Sequence, residues 1–170
     1  MSILDKVVAA VIPSPTEDGV NAIDLLEKDH DDVEALLKDY DMLAEGDGDV
    51  GDRRALSTRI CGLLAVHAMI EEEIFYPAAR EAKVDPDLLD EAEIEHGSAK
   101  ALIAEIGAAD ASEALYDARV KVLGETIRHH VKEEEHELFR ACRKSDMDMA
   151  RLGARLQKRK AELLRKLGDR

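Results

Sequence analysis

The chain has no tryptophan, and aromatic residues make up only 3% of its 170 residues. With β-branched residues also sparse, there is little material for a sheet. Proline is scarce: of four, Pro13, Pro15 and Pro86 fall where connections between elements are expected. Two cysteines, Cys61 and Cys142, cannot make a disulfide framework. No apolar run approaches the ~18 residues that would cross a bilayer. No secretory leader is visible, because Val7–Ile12 is short, follows Asp5 and Lys6, and lacks a small-residue cleavage site. A reducing cytoplasm is therefore the expected compartment. Cations are also in deficit: 24 Lys and Arg stand against 38 Asp and Glu, a net charge of −14. Such a surface repels nucleic acids and anionic membranes, so neither is expected as a partner. The deficit is uneven, since residues 151–170 carry eight Lys/Arg and two acids, which leaves −20 on the rest.

What is present favours helices. Apolar residues make up 45% and charged residues 36%, and Ala, Leu, Glu, Lys and Arg are good helix formers. The expected fold is all-α: an up-down-up-down four-helix bundle over 20–144, a short N-terminal segment and linker over 1–19, and an extra C-terminal amphipathic basic helix over 145–170. Within the first segment, residues 2–12 suit a short helix and Pro13–Gly19 a linker. The bundle helices are expected over Val20–Ala44, Asp52–Ala82, Pro86–Gly107 and Ser112–Lys144, and the basic helix over Asp146–Leu167. Pro86 suits the first turn of its helix, and Glu45–Gly51 reads as a turn.

Each bundle helix carries one apolar stripe at steps of three and four. The first is Ile23, Leu26, His30, Val33, Leu37 and Tyr40. The second is Leu56, Ile60, Leu63, His67, Ile70/Glu71, Ile74 and Ala78. The third is Leu89, Ala92, His96, Ala99, Ile103 and Ile106. The fourth is Tyr116, Val120, Leu123, Ile127, His130, Glu134, Leu138 and Ala141. Every stripe holds one histidine near mid-helix, and two hold a glutamate one turn later. A single core histidine usually bonds a backbone carbonyl. Four at one depth of a bundle, with two buried carboxylates, would be very costly without a partner. A metal removes that cost. Positions i and i+4 share a helix side, so His67–Glu71 and His130–Glu134 can each aim an imidazole and a carboxylate at the same metal pair. Imidazole and carboxylate without thiolate points to iron, manganese or zinc. The candidate metal ligands are His30, His67, Glu71, His96, His130 and Glu134; no catalytic side chain is assigned.

The pattern is duplicated. His30 and His96 are offset by 66 residues, and His67-xxx-Glu71 and His130-xxx-Glu134 by 63. Tyr76-Pro77 follows the first HxxxE, and Phe139 takes the matching place after the second. On these residues, over about 20–143, the chain resembles the hemerythrin-like (HHE cation-binding) family, bacterial H…HxxxE…H…HxxxE type. The resemblance implies two iron ions in a bridged di-iron centre. It also implies a small ligand: O2, peroxide or NO. One departure stands out. The oxygen-carrying hemerythrins use HxxxH on the third helix and HxxxxD on the fourth. Here Lys100 lies four residues after His96, and Glu135 five after His130. Losing that histidine argues against reversible oxygen carriage and suits reaction with peroxide, oxygen or NO, or a sensing role. A catalase- or peroxidase-like activity is thus one expectation and sensing the other.

Other features read more plainly. His129 and His136 lie off the stripe and read as surface residues, as do the outer members of Glu71–Glu73 and Glu133–Glu135. Tyr76 reads as a core cap rather than a partner of the ligands. Tyr40 and Tyr116 are too far along their helices to ligate. Asp47-Gly48-Asp49 is a turn. Helices two and four run parallel, so Cys61 and Cys142 sit at opposite ends and do not pair. The basic helix either docks on its own bundle, forms a homodimer or binds a partner protein. Two other functions compete: ferritin-like iron oxidation or storage through Glu93-xx-His96 and Glu133-xx-His136, and a metal-free helical interaction module.

Overall fold

A computed structural model describes residues 19–46 and 48–168, which form five helices. α1 is Ala22–Glu45. α2 runs as Val50–Ile70, widens into a π-helical turn at Glu71–Phe75 and finishes as Tyr76–Glu81. α3 is Pro86–Ala108. α4 repeats the design of α2, with Tyr116–Glu133, a π turn at Glu134–Leu138, and Phe139–Arg143. α5 is Met149–Gly168. In the up-down-up-down bundle of α1–α4, each helix packs against its two neighbours in the ring. The helix expected over 2–12 and the linker up to residue 18 lie outside the described residues.

Local chemistry sets the boundaries. Asn21 caps α1 by accepting from the Ile23 amide at 2.9 Å, and Asp49 caps α2 through the Gly51 amide at 2.7 Å. Asp85 caps α3 through the Asp87 amide at 3.0 Å, with Pro86 in the first turn. These oxygens satisfy amides that the first helical turn leaves free. Two starts fall later than expected. Asp110 accepts from the Ser112 amide at 2.8 Å and Glu113 from the Asp110 amide at 3.0 Å, so 110–113 turns instead of opening α4. Asp148 accepts from the Arg151 amide at 3.0 Å and so opens α5 at Met149 rather than Asp146.

The two π turns correct part of the expected stripes. A π turn inserts one residue into the helical repeat, so the buried face advances by one position beyond it. Ala78 and Ala141 are accordingly only half-buried, whereas Ala79 and Cys142 are fully buried. Phe75, Tyr76 and Phe139 also turn inward. Upstream, Leu56 and Leu63 are half-buried, and Ser57 and Leu64 take the deeper places.

The core has two apolar clusters. One, around Val33, Leu37, Ile60, Leu123 and Ile127, fills the end near Tyr40 and Tyr116. The other joins Leu26, Ile70, Phe75, Phe139 and Leu89 to α5. One histidine on each bundle helix lies near the boundary between them. At the first end the Tyr40 hydroxyl donates to Asp117 at 2.6 Å. The Tyr116 and Ser57 hydroxyls, both buried, lie 2.6 Å apart. Ser57→Ala leaves the Tyr116 hydroxyl without its partner, and the expected cost is about 1–2 kcal/mol in chemical denaturation. An unchanged midpoint would show that the hydroxyl finds another acceptor.

α5 docks within the chain, along α1 and α2. Leu152, Gly153, Leu156, Leu163 and Leu164 are buried, while Leu167 at the end of the expected stripe stays exposed. Its basic residues meet the acidic bundle. Arg159 grips both oxygens of Glu73, at 2.7 and 3.0 Å, and Lys160 pairs with Asp29. Cys61 and Cys142 are both free thiols.

Candidate metal centre

The six expected residues meet at one level of the bundle. His30, His67, Glu71, His96, His130 and Glu134 are all buried. His30 Nε2 and His67 Nε2 are 3.0 Å apart, and His96 Nε2 and His130 Nε2 are 3.2 Å apart. The two glutamates join these pairs. Glu71 Oε1 lies 3.2 Å from His67 Nε2, and its Oε2 lies 3.3 Å from His96 Nε2. Glu134 Oε2 sits between His30 Nε2 at 3.4 Å and His130 Nε2 at 3.5 Å. Two overlapping ligand groups result: His30, His67, Glu71 and Glu134, and Glu71, His96 and His130.

Each imidazole is held from behind. Its Nδ1 faces a carboxylate: Glu135 at 2.8 Å for His30, Asp29 at 3.4 Å for His67, Glu72 at 2.9 Å for His96 and Glu95 at 2.7 Å for His130. A carboxylate only accepts, so Nδ1 carries the hydrogen and Nε2 turns its lone pair inward in the neutral ring. Asp29, Glu72 and Glu95 escaped the sequence reading because they lie off the apolar stripes, and Glu135 entered it only as a substitute for the fourth-helix aspartate. Each holds a histidine of a neighbouring helix rather than of its own. The available signal was adjacency: Asp29 and Glu95 immediately precede His30 and His96, and Glu72 and Glu135 immediately follow Glu71 and Glu134. Reading Glu72 and Glu135 as merely solvated is therefore corrected. Lys100, in the place of the missing third-helix histidine, donates to both oxygens of Glu72 at 2.6 Å.

Tyr76 is likewise not a simple core cap. Its buried hydroxyl donates to Glu134 Oε1 at 2.9 Å and lies 3.3 Å from His96 Nε2. Phe139, its counterpart in the second half, stacks on His30 with ring centroids 5.9 Å apart and has no hydroxyl to offer Glu71. Glu134 thus has one oxygen engaged and one free, whereas both oxygens of Glu71 are free. Tyr40 and Tyr116, expected to lie too far along their helices to ligate, bond Asp117 and Ser57 instead. His129 is exposed, and His136, also exposed, faces the Lys132 carbonyl at 2.7 Å. Glu93 is exposed and paired with Arg80 at 2.9 Å. The alternate pair of ExxH motifs is therefore not assembled.

The donor set suits a cation. Both oxygens of Glu71 and Oε2 of Glu134 are buried without a hydrogen-bond partner. They face Nε2 lone pairs at distances where only a proton or a cation relieves repulsion. Burial opposes charge on every group here, but mutual attraction overrides it. Glu71 is held well below the usual carboxylate range by His67 and His96, and Glu134 is lowered by His130 and His30. His67 is held well above the usual imidazole range by Glu71 and Asp29. His130 is raised to about 9 by Glu134, Glu71 and Glu95. Below pH 9 a cation must therefore displace a proton from His130. Cation affinity is expected to rise between pH 6 and about 9, by up to about tenfold per unit for each proton displaced. Isothermal titration in buffers of different ionisation enthalpy checks this by counting protons released.

The hemerythrin HHE cation-binding domain family matches residues 21–142. The chain belongs to that family. Its fold is similar to the crystal structure of a hemerythrin HHE cation-binding domain-containing protein from Mycobacterium kansasii. The TM-score is 0.71 at 21% identity, over 86% of this chain and 89% of that one. The chain is also 28% identical over 135 residues to a DNA nickase from Nostoc sp. (strain PCC 7120 / SAG 25.82 / UTEX 2576). That match takes in 79% of this chain but only 37% of the nickase. Lys160 and the rest of α5 lie beyond the family match.

Proposed function

We propose that this HHE-family chain holds two iron ions in a bridged centre and binds or reacts with O2, peroxide or NO. The carrying observation is the geometry of Glu71, whose two unpartnered oxygens point to different histidine pairs. His30 and His67 would hold one ion and His96 and His130 the other, with Glu71 offering an oxygen to each pair and Glu134 the oxygen left free by Tyr76. Iron so held supplies redox chemistry toward small oxygen- and nitrogen-containing ligands; zinc or manganese suits the same donors.

The protein's own groups define the rest. A cavity of about 20 Å³ lies against His67, His96 and His130, walled by Leu64, Ala99, Ile103 and Ile127, with Lys100 at its edge. Such a volume takes about one water-sized molecule, which favours a diatomic or peroxide over a larger substrate. Tyr76 is positioned to keep its hydroxyl proton on the Glu134 side, since burial and the nearby Glu71 and Glu134 raise its pKa far above the usual phenol value. No helix among the described residues is long and apolar enough to cross a membrane, and the two free thiols suit a reducing cytoplasm. DNA nicking, named for the Nostoc relative, is not carried over. The net charge of −14 opposes DNA, and the chain spans only 37% of that relative.

Metal analysis of aerobically purified protein, with visible spectra before and after reduction, peroxide and air, tests the proposal. About two irons per chain and a near-ultraviolet band that responds to peroxide or oxygen are expected. Rapid peroxide loss then indicates an enzyme, and a stable adduct a sensor or carrier. No iron after reconstitution with ferrous salt would overturn the di-iron reading.

A further inference from the structure

The internal duplication is broken on one face. In the first half, Leu25, Val66, Ile70 and Ile74 are buried and share an apolar cluster with Leu152, Leu156, Leu163 and Leu164 of α5. By the offsets of 66 and 63 residues, their counterparts in the second half are Glu91, His129, Glu133 and Glu137. Four apolar positions of the seat for α5 have thus become ionisable in their counterparts, while Ala22, which abuts Gly153, keeps an apolar counterpart in Leu88, and no helix covers that side among the described residues. Instead there is an open cleft of about 50 Å³ lined by Glu91, Glu95, Glu133 and Glu137. His130 and Glu134 also line it, so the cleft reaches the metal centre.

Three of these groups have ligand geometry. His129 Nε2 lies 3.3 Å from Glu133 Oε1 and 3.6 Å from Glu95 Oε1, one turn apart on α4 and across to α3. Their donor atoms all fall within 4.8 Å of one another. None of the four carboxylates pairs with Lys or Arg among the described residues. This contrasts with Asp29, the counterpart of Glu95, which Lys160 neutralises. Glu133 Oε2 is buried without a hydrogen-bond partner, and Glu134, on the cleft floor and almost wholly buried, leaves Oε2 unpartnered as well. Glu95 links the two levels, because its other oxygen holds His130 Nδ1 at 2.7 Å. A solvated surface requires only mixed charge. This one carries four acids that no Lys or Arg neutralises among the described residues, with His129 between two of them and His130 behind Glu95.

We propose that Glu95, His129 and Glu133 form a further divalent-cation site at the mouth of this cleft, and that it passes cations inward to His130 and Glu134. The transfer rests on the metal centre proposed above, whereas the outer site does not. Carboxylates and imidazole on a wet surface suit weak, exchangeable binding of a borderline divalent ion such as Fe²⁺, Co²⁺ or Mn²⁺.

The test compares wild type with the double variant His129→Ala, Glu133→Gln, neither residue being a ligand of the centre. Co²⁺ is titrated by equilibrium dialysis into the full chain as isolated with its metals. Wild type is expected to take up one further Co²⁺, and the double variant to bind it at least about tenfold more weakly. Equal binding by the two proteins overturns the outer site. Ferrous loading of metal-free protein is then followed by stopped flow. The double variant is expected to load at least about tenfold more slowly to the same final content, and an unchanged rate overturns the transfer. A lower final content also overturns it, because the residues would then belong to the centre itself. If neither protein takes iron into the centre, the di-iron reading and the transfer fail together, and the Co²⁺ titration still decides the outer site.

Discussion

Glu71→Ala is expected to empty the metal centre, lowering reconstituted metal from about two ions per chain to well under one. The reason is the position of its two oxygens, at 3.2 Å from His67 Nε2 and 3.3 Å from His96 Nε2. A ligand of one ion would cost that ion alone, but a carboxylate shared by both pairs costs both. Glu93→Ala serves as the control. Glu93 pairs with Arg80 at the surface, and its loss is expected to leave the metal content unchanged. A second readout is thermal. A ligand that binds only the folded state raises its stability, so loading with iron should raise the unfolding midpoint of wild type and leave that of Glu71→Ala nearly unmoved. Metal lost in Glu93→Ala but retained in Glu71→Ala would reverse the assignment and favour the ExxH arrangement.

Gly153→Ala is expected to dislodge α5 at a cost of about 3 kcal/mol. A Cβ built on Gly153 falls on the carbonyl oxygen and carbon of Val20. The obstruction is backbone, so no rotamer relieves it and the helix must move away. Gly62 makes a useful contrast. A Cβ there comes within 2.8 Å of Leu167 Cδ2, the end of a flexible side chain on an exposed residue, and Gly62→Ala should cost less than about 1 kcal/mol. Urea unfolding measures both, and limited proteolysis reports whether α5 has detached. Equal midpoints for Gly153→Ala and wild type would mean that the start of α1 yields easily. Because Lys160 pairs with Asp29, and Asp29 faces His67, detachment should also perturb the visible spectrum of the loaded protein.

Much of this was legible in the sequence because helices advertise their buried face. The stripe of α1 is buried at every named position, and one histidine per stripe was enough to point to the candidate centre. Reading failed where the period itself changed. Ala78 and Ala141 were assigned to the core by a uniform 3.6-residue repeat, and the π turns moved that place to Ala79 and Cys142. The same turns bring Tyr76 to Glu134, which no count along an ideal helix would have suggested. The outer carboxylates failed for a different reason. Acids are abundant in this chain, and an acid off the apolar stripe looks solvated unless its cross-helix partner is known.

The two π turns also decide where along its helices this chain tolerates a change of length. Each is one surplus residue, placed immediately after HxxxE and closed by an amide five residues on: Tyr76 to the Glu71 carbonyl, and Phe139 to the Glu134 carbonyl. Conservative exchanges within Glu72–Phe75 or Glu135–Leu138 leave that surplus in place. Removing one residue there lets the helix close normally while the residues downstream keep their faces, because Ala79 and Cys142 then take the stripe places that an unbroken repeat gives to positions 78 and 141. A one-residue deletion in the α-helical stretch before either turn would instead rotate the candidate ligands by roughly 100° against the stripe that precedes them.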